Sequence, residues 1–257
     1  MLGQWIREFD RRRLGSALAS ARRAYRMNRE GARAGLSGHV TWQLPLDAPN
    51  RVAALCDVHG SDKGSRLSSG HVYPWPPHRY CEVYARLFDH CRLTVRKVFE
   101  CGLGTGDGAF AASMGPKARP GASLLMWRDY FPNARIFGAD IDRKVLFQED
   151  RILTFFVDQT APAMIEEMWR QIGEDDFDLI VDDGLHTAEA AETLFSGSFP
   201  KLRAGGIYVV EDMFWGDAVT LRERLCRKGL SPEIVTTASL VSGSLDLDTC
   251  LVVIRRP

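Results

Sequence analysis

Cysteine is scarce and scattered in this 257-residue chain. Its six cysteines (Cys56, Cys81, Cys91, Cys101, Cys226 and Cys250) form no Cys-x-x-Cys pair, which excludes the usual zinc ligation and a disulfide-stapled scaffold. Long apolar runs are missing too. No stretch approaches the roughly 18 residues a membrane-crossing helix needs, and no secretory h-region is visible, so the sequence predicts a cytoplasmic protein with no membrane span. Neither charge sign is in excess, with 33 basic against 33 acidic side chains. Phosphate-binding surfaces ordinarily show a basic surplus, so the balance argues for a small-molecule partner and against nucleic acid. Lysine is rare, 6 residues against 27 arginines, a skew that reads as codon bias.

What is present divides into three stretches. Residues 1–35 are basic: between Arg7 and Arg33 nine arginines stand against Glu8, Asp10 and Glu30. Trp5, Ile6, Phe9, Leu14, Leu18, Ala21 and Tyr25 recur there at helical spacing. The pattern predicts an amphipathic helix over residues 2–30, suited to packing on its own chain or on a sister subunit, and so to a homo-oligomer, with anchoring at an acidic surface as the alternative. Residues 36–94 carry few strand signals but many Gly, Pro, His and aromatic residues, as in "DVHGSDKGSRLSSGHVYPWPPHRY", a composition that suits a lid or substrate-binding segment. Over residues 95–257 the apolar runs "VRKVFE", "ARIFGAD", "ILTFFVD", "FDLIVDD" and "GGIYVVED" alternate with helical stretches such as "GASLLMWRDYF", "APAMIEEMWRQI" and "HTAEAAETLF". Runs this apolar predict strands buried on both faces, hence an α/β, Rossmann-like parallel sheet between helix layers. The close, "EIVTTASLV" and "TCLVVIRR" around "SGSLDLD", reads as an antiparallel hairpin.

Ligands of such sheets bind at the carboxyl ends of the strands. The first run ends in "FECGLGTG", where Gly102, Gly104 and Gly106 permit a tight turn and close backbone approach. Such turns are common, and this one alone does not choose a ligand. Asp107 stands where a dinucleotide fingerprint has its third glycine, and a carboxylate there would repel a pyrophosphate. S-adenosylmethionine (SAM) has no phosphate and fits better, with Glu100 suited to its cationic end. Asp140 in "GADID" falls where an acid for ribose hydroxyls is expected. It lies 34 residues after Gly106 rather than about 20, and the insertion "DGAFAASMGPKARPG" accounts for the excess. Asp142 reads as a helix N-cap. Asp158 and Gln159, closing "FFVDQT", are placed to bond an adenine amine, with capping of the next helix an equal role for Asp158.

The fourth run delivers Asp182, Asp183 and His186, and the fifth Glu211 and Asp212. Adjacent parallel strands bring their ends within about 5 Å. Asp183, Glu211 and Asp212 would then form a self-repelling oxygen cluster, which a hard divalent cation such as Mg²⁺ neutralises. His186 follows as a general base with a pKa near working pH. The competing reading has the paired aspartates capping a helix and the later pair meeting arginines.

With these residues in place the chain resembles the metal-dependent class I SAM-dependent sugar O-methyltransferases that decorate antibiotic deoxysugars and related glycans. The resemblance covers residues 57–213 and rests on "HGSDKG", "HVYPWPPHRY", "FECGLGTG", "GASLLMWRDYFPNARIFGADID", "RILTFFVDQT", "DLIVDDGLH" and "GGIYVVEDM". It implies a mostly parallel, seven-stranded sheet with an antiparallel C-terminal hairpin. It implies that Asp183, Glu211 and Asp212 hold Mg²⁺ while His186 takes the proton from a sugar hydroxyl. It further implies a SAM site drawing on Glu100, Gly102, Gly104, Asp140, Asp158, Gln159 and Asp182, with Ser61 and Lys63 of "SDKG" closing over it. Tyr73, Trp75, His78 and Tyr80 are candidates for the acceptor pocket, since aromatic faces suit sugar rings, with core packing as the plainer role. The insertion after Gly106 and the basic N-terminal helix depart from the pattern. A catechol or phenolic acceptor, an NAD-linked oxidoreductase and a non-catalytic assembly module are the competing functions.

Overall fold

A computed structural model describes residues 39–41, 49–65, 71–236 and 250–257. The expected assembly helix in residues 1–35 lies outside the described residues, as does the link between the two hairpin strands. In chain order the elements are β1 (His39–Thr41), α1 (Arg51–His59), α2 (Tyr80–Phe88), β2 (Lys97–Cys101), α3 (Ala122–Tyr130), β3 (Arg135–Asp140), β4 (Gln148–Glu149), β5 (Ile152–Phe156), α4 (Pro162–Ile172), β6 (Phe177–Asp182), α5 (Ala188–Ser198), β7 (Leu202–Met213), α6 (Trp215–Arg227), β8 (Glu233–Thr236) and β9 (Cys250–Arg255).

They build one sheet in the order β1-β8-β9-β7-β6-β2-β3-β5-β4. The five apolar runs became β2, β3, β5, β6 and β7, joined by parallel pairings throughout. β9 pairs antiparallel with both β7 and β8, as the hairpin reading requires. The seven expected strands are present, and two more extend the sheet to nine. The two additions are short edge strands, β1 parallel to β8 and β4 antiparallel to β5, too brief for a periodicity to be read.

β6 is buried at all six positions, because helices cover both faces of the sheet. On one face α1, α2 and α3 contribute Val52, Tyr84, Phe88, Trp127 and Phe131 to a core with Val98, Leu179 and Val209. The segment expected as a lid is thus partly a core layer. On the other face Trp169 of α4 packs between Phe99 and Phe177, with ring centroids at 4.7 and 5.2 Å. Fully burying an aromatic of this size is worth about 3–5 kcal/mol against alanine. Local chemistry sets the ends: Pro162 opens α4 and Gly173, at φ 65°, closes it. Among the described residues no helix is long and apolar enough to cross a membrane.

Candidate functional site

A cavity of about 620 Å³ opens at the carboxyl ends of β2, β3, β5, β6 and β7, reached by Gly102, Asp140, Asp158, Asp183 and Asp212. One side is the glycine turn. Gly102 N donates to Ala139 O at 2.8 Å, Leu103 N to Asp140 Oδ2 at 2.7 Å, and Thr105 Oγ1 to Asp142 Oδ2 at 2.6 Å. Gly102 sits at φ 97°, and a Cβ there would lie 1.9 Å from the Asp183 carbonyl oxygen. Glycine is therefore required by the close approach of the β6 end, as well as by the left-handed backbone.

The acids predicted for the donor occupy unequal places. Asp140 and Asp158 line the cavity. Asp140 also accepts from Leu103 N and Asp142 N, and a carboxylate retains further acceptor sites after two such bonds. Asp158 accepts from Thr160 N and Oγ1 and does not cap α4, whose N-cap is Ala161. Asp142 caps the short 3₁₀ turn Arg143–Val145, as read from the sequence. Gln159 lines the cavity, but its amide is spent inward, accepting from Leu185 N at 2.9 Å and donating to Asp182 Oδ1 at 3.1 Å.

Glu100 and Asp182 need correction. Glu100 is fully buried outside the cavity lining, and its oxygens accept from Ser123 Oγ at 2.7 Å and from the Trp127 indole N–H. Asp182 is 1% exposed, and burial pushes its carboxyl up to about 6. Both acids face the protein interior, where they brace the strand ends.

The expected triad of Asp183, Glu211 and Asp212 is divided. A register shift in β7 between Val210 and Met213 interrupts the regular strand, and Asp212 turns out at φ 52°. Glu211 then points inward, to the Lys63 ammonium and the Tyr84 hydroxyl. Asp212 meets His78, Nδ1 to Oδ1 at 3.0 Å, and accepts from the Tyr80 hydroxyl. Asp183 Oδ2 takes Lys63 Nζ at 2.6 Å, and its Oδ1 lies 3.4 Å from His186 Nε2. Lysine and histidine, not arginine, are the cations of this cluster.

The charges respond accordingly. Burial opposes the Lys63 ammonium, but Asp183, Glu211 and Glu100 outweigh it and hold Lys63 protonated well above the lysine range. Burial likewise opposes the His78 imidazolium, yet Asp212 lifts it to about 9. Asp183 and Asp212 stay low against the cost of burial, through Lys63 and His78 respectively. For His186 burial is again outweighed, by the neighbouring Asp183 and Asp212 carboxylates, which raise its proton affinity.

Tyr73, Trp75 and His78 line the cavity beside Ser61 and Lys63. Tyr73 and Trp75 stack at 5.1 Å, and Trp75 Nε1 donates to Asp62 Oδ2 at 3.0 Å. Tyr80 is a correction: fully buried and absent from the lining, it steadies Asp212. Several lining residues escaped sequence reading, three of them large, apolar and exposed. Ile141, Leu185 and Phe214 are exposed apolar side chains facing this cavity, each one to three residues beyond a strand-end acid, and that placement was the available signal. The insertion lines the cavity through Phe110 and Met114.

A hard divalent cation passes a test of fit. Ligand atoms of Asp183, His186 and Asp212 lie within 4.8 Å of one another, and His186 Nε2 is buried without a hydrogen-bond partner. Glu100, Asp183 and Glu211 lie around one ammonium, with burial raising the proton affinity of Glu100 and Glu211. Oxygen-rich sets of this kind suit Mg²⁺ or Mn²⁺. Glu211 lies outside the converging set.

No protein-family model matches the chain. It is 35% identical over 167 residues to 8-demethyl-8-alpha-L-rhamnosyl tetracenomycin-C 2'-O-methyltransferase of Streptomyces olivaceus, covering 65% of this chain and 38% of that protein. It is 34% identical over 210 residues to demethylmacrocin O-methyltransferase of Streptomyces fradiae, covering 77% of this chain and 50% of that one. The chain thus spans half or less of the length of these curated relatives. Among solved structures, the MycE methyltransferase from the mycinamycin biosynthetic pathway, in complex with Mg, SAH and mycinamycin VI, superimposes with a TM-score of 0.57 at 24% identity, over 82% of this chain and 54% of that one. The chain has the Rossmann-like class I methyltransferase fold and, over the matched segment, is a homologue of the sugar O-methyltransferases its ordered motifs resemble.

Proposed function

We propose that this chain is the catalytic part of a cytoplasmic SAM-dependent O-methyltransferase, assisted by Mg²⁺ or a similar cation, that methylates a sugar hydroxyl of a glycosylated natural product or glycan. One observation carries the reading: His186, Asp183 and Asp212 face the same cavity as the glycine turn. The rhamnosyl and macrolide acceptors in the names of the relatives favour a sugar over a catechol.

In this reading the 102–104 turn, Asp140 and Asp158 hold the methyl donor at one side of the cavity. Asp183 and Asp212 would hold the cation, which supplies Lewis acidity favouring the alkoxide form of the acceptor hydroxyl. His186 takes the hydroxyl proton, its Nε2 lying 3.4 Å from Asp183 Oδ1 at the cavity. Such a transfer contributes about 10²- to 10⁴-fold in rate. The acceptor oxygen attacks the sulfonium methyl in line, the carbon–sulfur bond breaks with its electron pair going to sulfur, and S-adenosylhomocysteine leaves. Stacked Tyr73 and Trp75 seat the sugar face, and Leu185 and Phe214 exclude water at the rim. Residues 1–35 pair subunits, for which deletion of residues 1–30 should lower the mass found by light scattering.

The test is incubation with labelled SAM, Mg²⁺ and a panel of glycosides and catechols. A gain of about 14 mass units on a glycoside, replacing hydrogen by methyl, is expected. Label on catechols alone, or full turnover after exhaustive EDTA treatment, contradicts the acceptor class or the cation respectively.

A further inference from the structure

The cavity wall holds four basic side chains, Lys63, His78, Arg119 and His186. Three are committed to its acids: Lys63 Nζ lies 2.6 Å from Asp183 Oδ2, His78 Nδ1 3.0 Å from Asp212 Oδ1, and His186 Nε2 3.4 Å from Asp183 Oδ1. Arg119 differs. Among the described residues no carboxylate pairs with its guanidinium.

Arg119 belongs to the insertion after the glycine turn, and the fold fixes where it stands. Met114 N donates to Thr105 O at 2.9 Å and Gly121 N to Leu103 O at 2.8 Å, so both limbs of the insertion are tied to the turn. Met114 also fills the space beside Gly104, its Sδ 2.5 Å from where a Cβ would be. Arg119 O accepts from Ala122 N at 3.1 Å, which sets the residue directly ahead of α3. Its side chain then crosses Gly60, where a Cβ would lie 2.4 Å from Nη1 and 2.7 Å from Cδ. A glycine leaves that path open. Gly60 closes α1, and its carbonyl accepts from the Tyr73 hydroxyl at 3.3 Å, so the guanidinium stands between the insertion and the end of α1.

The order of the strands decides which end of a donor reaches it. β5, β3 and β2 are successive neighbours in the sheet, each about 4.8 Å from the next. With the base at Asp158 beyond β5 and the ribose at Asp140 on β3, the amino-acid end runs on toward β2, whose turn and insertion carry Arg119. That end bears the donor's one carboxylate, and a guanidinium fork matches a carboxylate with two parallel hydrogen bonds.

We propose that Arg119 binds the carboxylate of the methyl donor, and that the insertion brings this guanidinium to the methionyl end of SAM across the opening left by Gly60. The inference rests on the proposed function and adds to it a residue that the glycine turn and the strand-end acids do not supply.

The experiment is calorimetric titration of the full chain, Arg119→Leu and Arg119→Lys with two compounds, S-adenosylhomocysteine and its decarboxylated form, which keeps the amine. The unaltered protein should bind S-adenosylhomocysteine at least about tenfold more tightly than the decarboxylated compound, the scale of a charge-assisted pair. Arg119→Leu should weaken S-adenosylhomocysteine by about tenfold and shift the other compound by less than about twofold, so that the preference collapses. Arg119→Lys keeps the charge without the fork and should fall between. Arg119 is exposed, and the Tm of Arg119→Leu should stay within about 2 °C of the unaltered protein. Equal affinity of the unaltered protein for both compounds overturns the proposal. So does an Arg119→Leu protein that loses both compounds alike, or one that retains the preference. If the unaltered protein binds neither compound, the donor reading of the cavity falls and takes this inference with it; if it binds both and Arg119→Leu changes neither, the inference alone falls.

Discussion

The two sides of the cavity are built by different means. The glycine-turn side is held by backbone bonds and by acids close by in the sheet: Gly102 to Ala139, Leu103 to Asp140, Gly121 N to Leu103 O. The acid side depends on side chains delivered from far away in sequence, Lys63, His78, Tyr80 and Tyr84 reaching Asp183, Glu211 and Asp212. Gly102 joins the two, with the Asp183 carbonyl filling the space its Cβ would need. The lesson is one of dependence: the donor side follows from the strand-turn unit itself, whereas the acid side works only if the preceding loop and α2 dock correctly.

That contrast can be broken or sharpened by substitution. The largest expected effect is His186→Ala on the acid side, a loss of about 10²- to 10⁴-fold in kcat, with S-adenosylhomocysteine affinity within about threefold of the unaltered protein by calorimetry. A comparable fall in donor affinity would mean the sides are not separable. Gly102→Ala should damage both at once, weakening S-adenosylhomocysteine by about 100-fold and lowering Tm, because the added Cβ meets backbone that cannot yield and the φ is left-handed. Gln159→Ala should cost about tenfold in turnover with Tm reduced by a few degrees, through loss of the brace on the Asp182 to Leu185 loop. Tyr80→Phe is the mildest, about three- to tenfold in Mn²⁺ affinity, since Asp212 keeps His78 when the hydroxyl is gone; an unchanged Kd would detach Tyr80 from the site.

The sequence made the same division visible. Gly102, Asp140 and the strand ends were legible because apolar runs and the glycine turn are local patterns. Asp183 and His186 were legible too, as polar residues following a wholly buried run. What local pattern cannot express is direction. Glu100 precedes the glycine turn and looks available to a ligand, but Ser123 and Trp127 of α3 take both its oxygens. Glu211 and Asp212 are adjacent and look equivalent, and only the irregularity in β7 sends one inward and the other toward the cavity. Tyr80 shares its composition with Tyr73 and Trp75, yet it opens α2 and is buried by the helix it begins. Lys63 sat in a glycine-rich loop that resembled a lid, and the backbone bonds anchoring it to α2 link residues 15–18 positions apart in sequence.

The central claim is that a methyl donor bound by the glycine turn and a cation bound by Asp183 and Asp212 share one cavity. Magnetic resonance of SAM carrying a ¹³C-labelled methyl, bound to the protein and titrated with Mn²⁺, tests it most directly. Selective broadening of the methyl signal, abolished by Asp183→Asn, is the predicted result; a sharp methyl signal with both ligands demonstrably bound would contradict it.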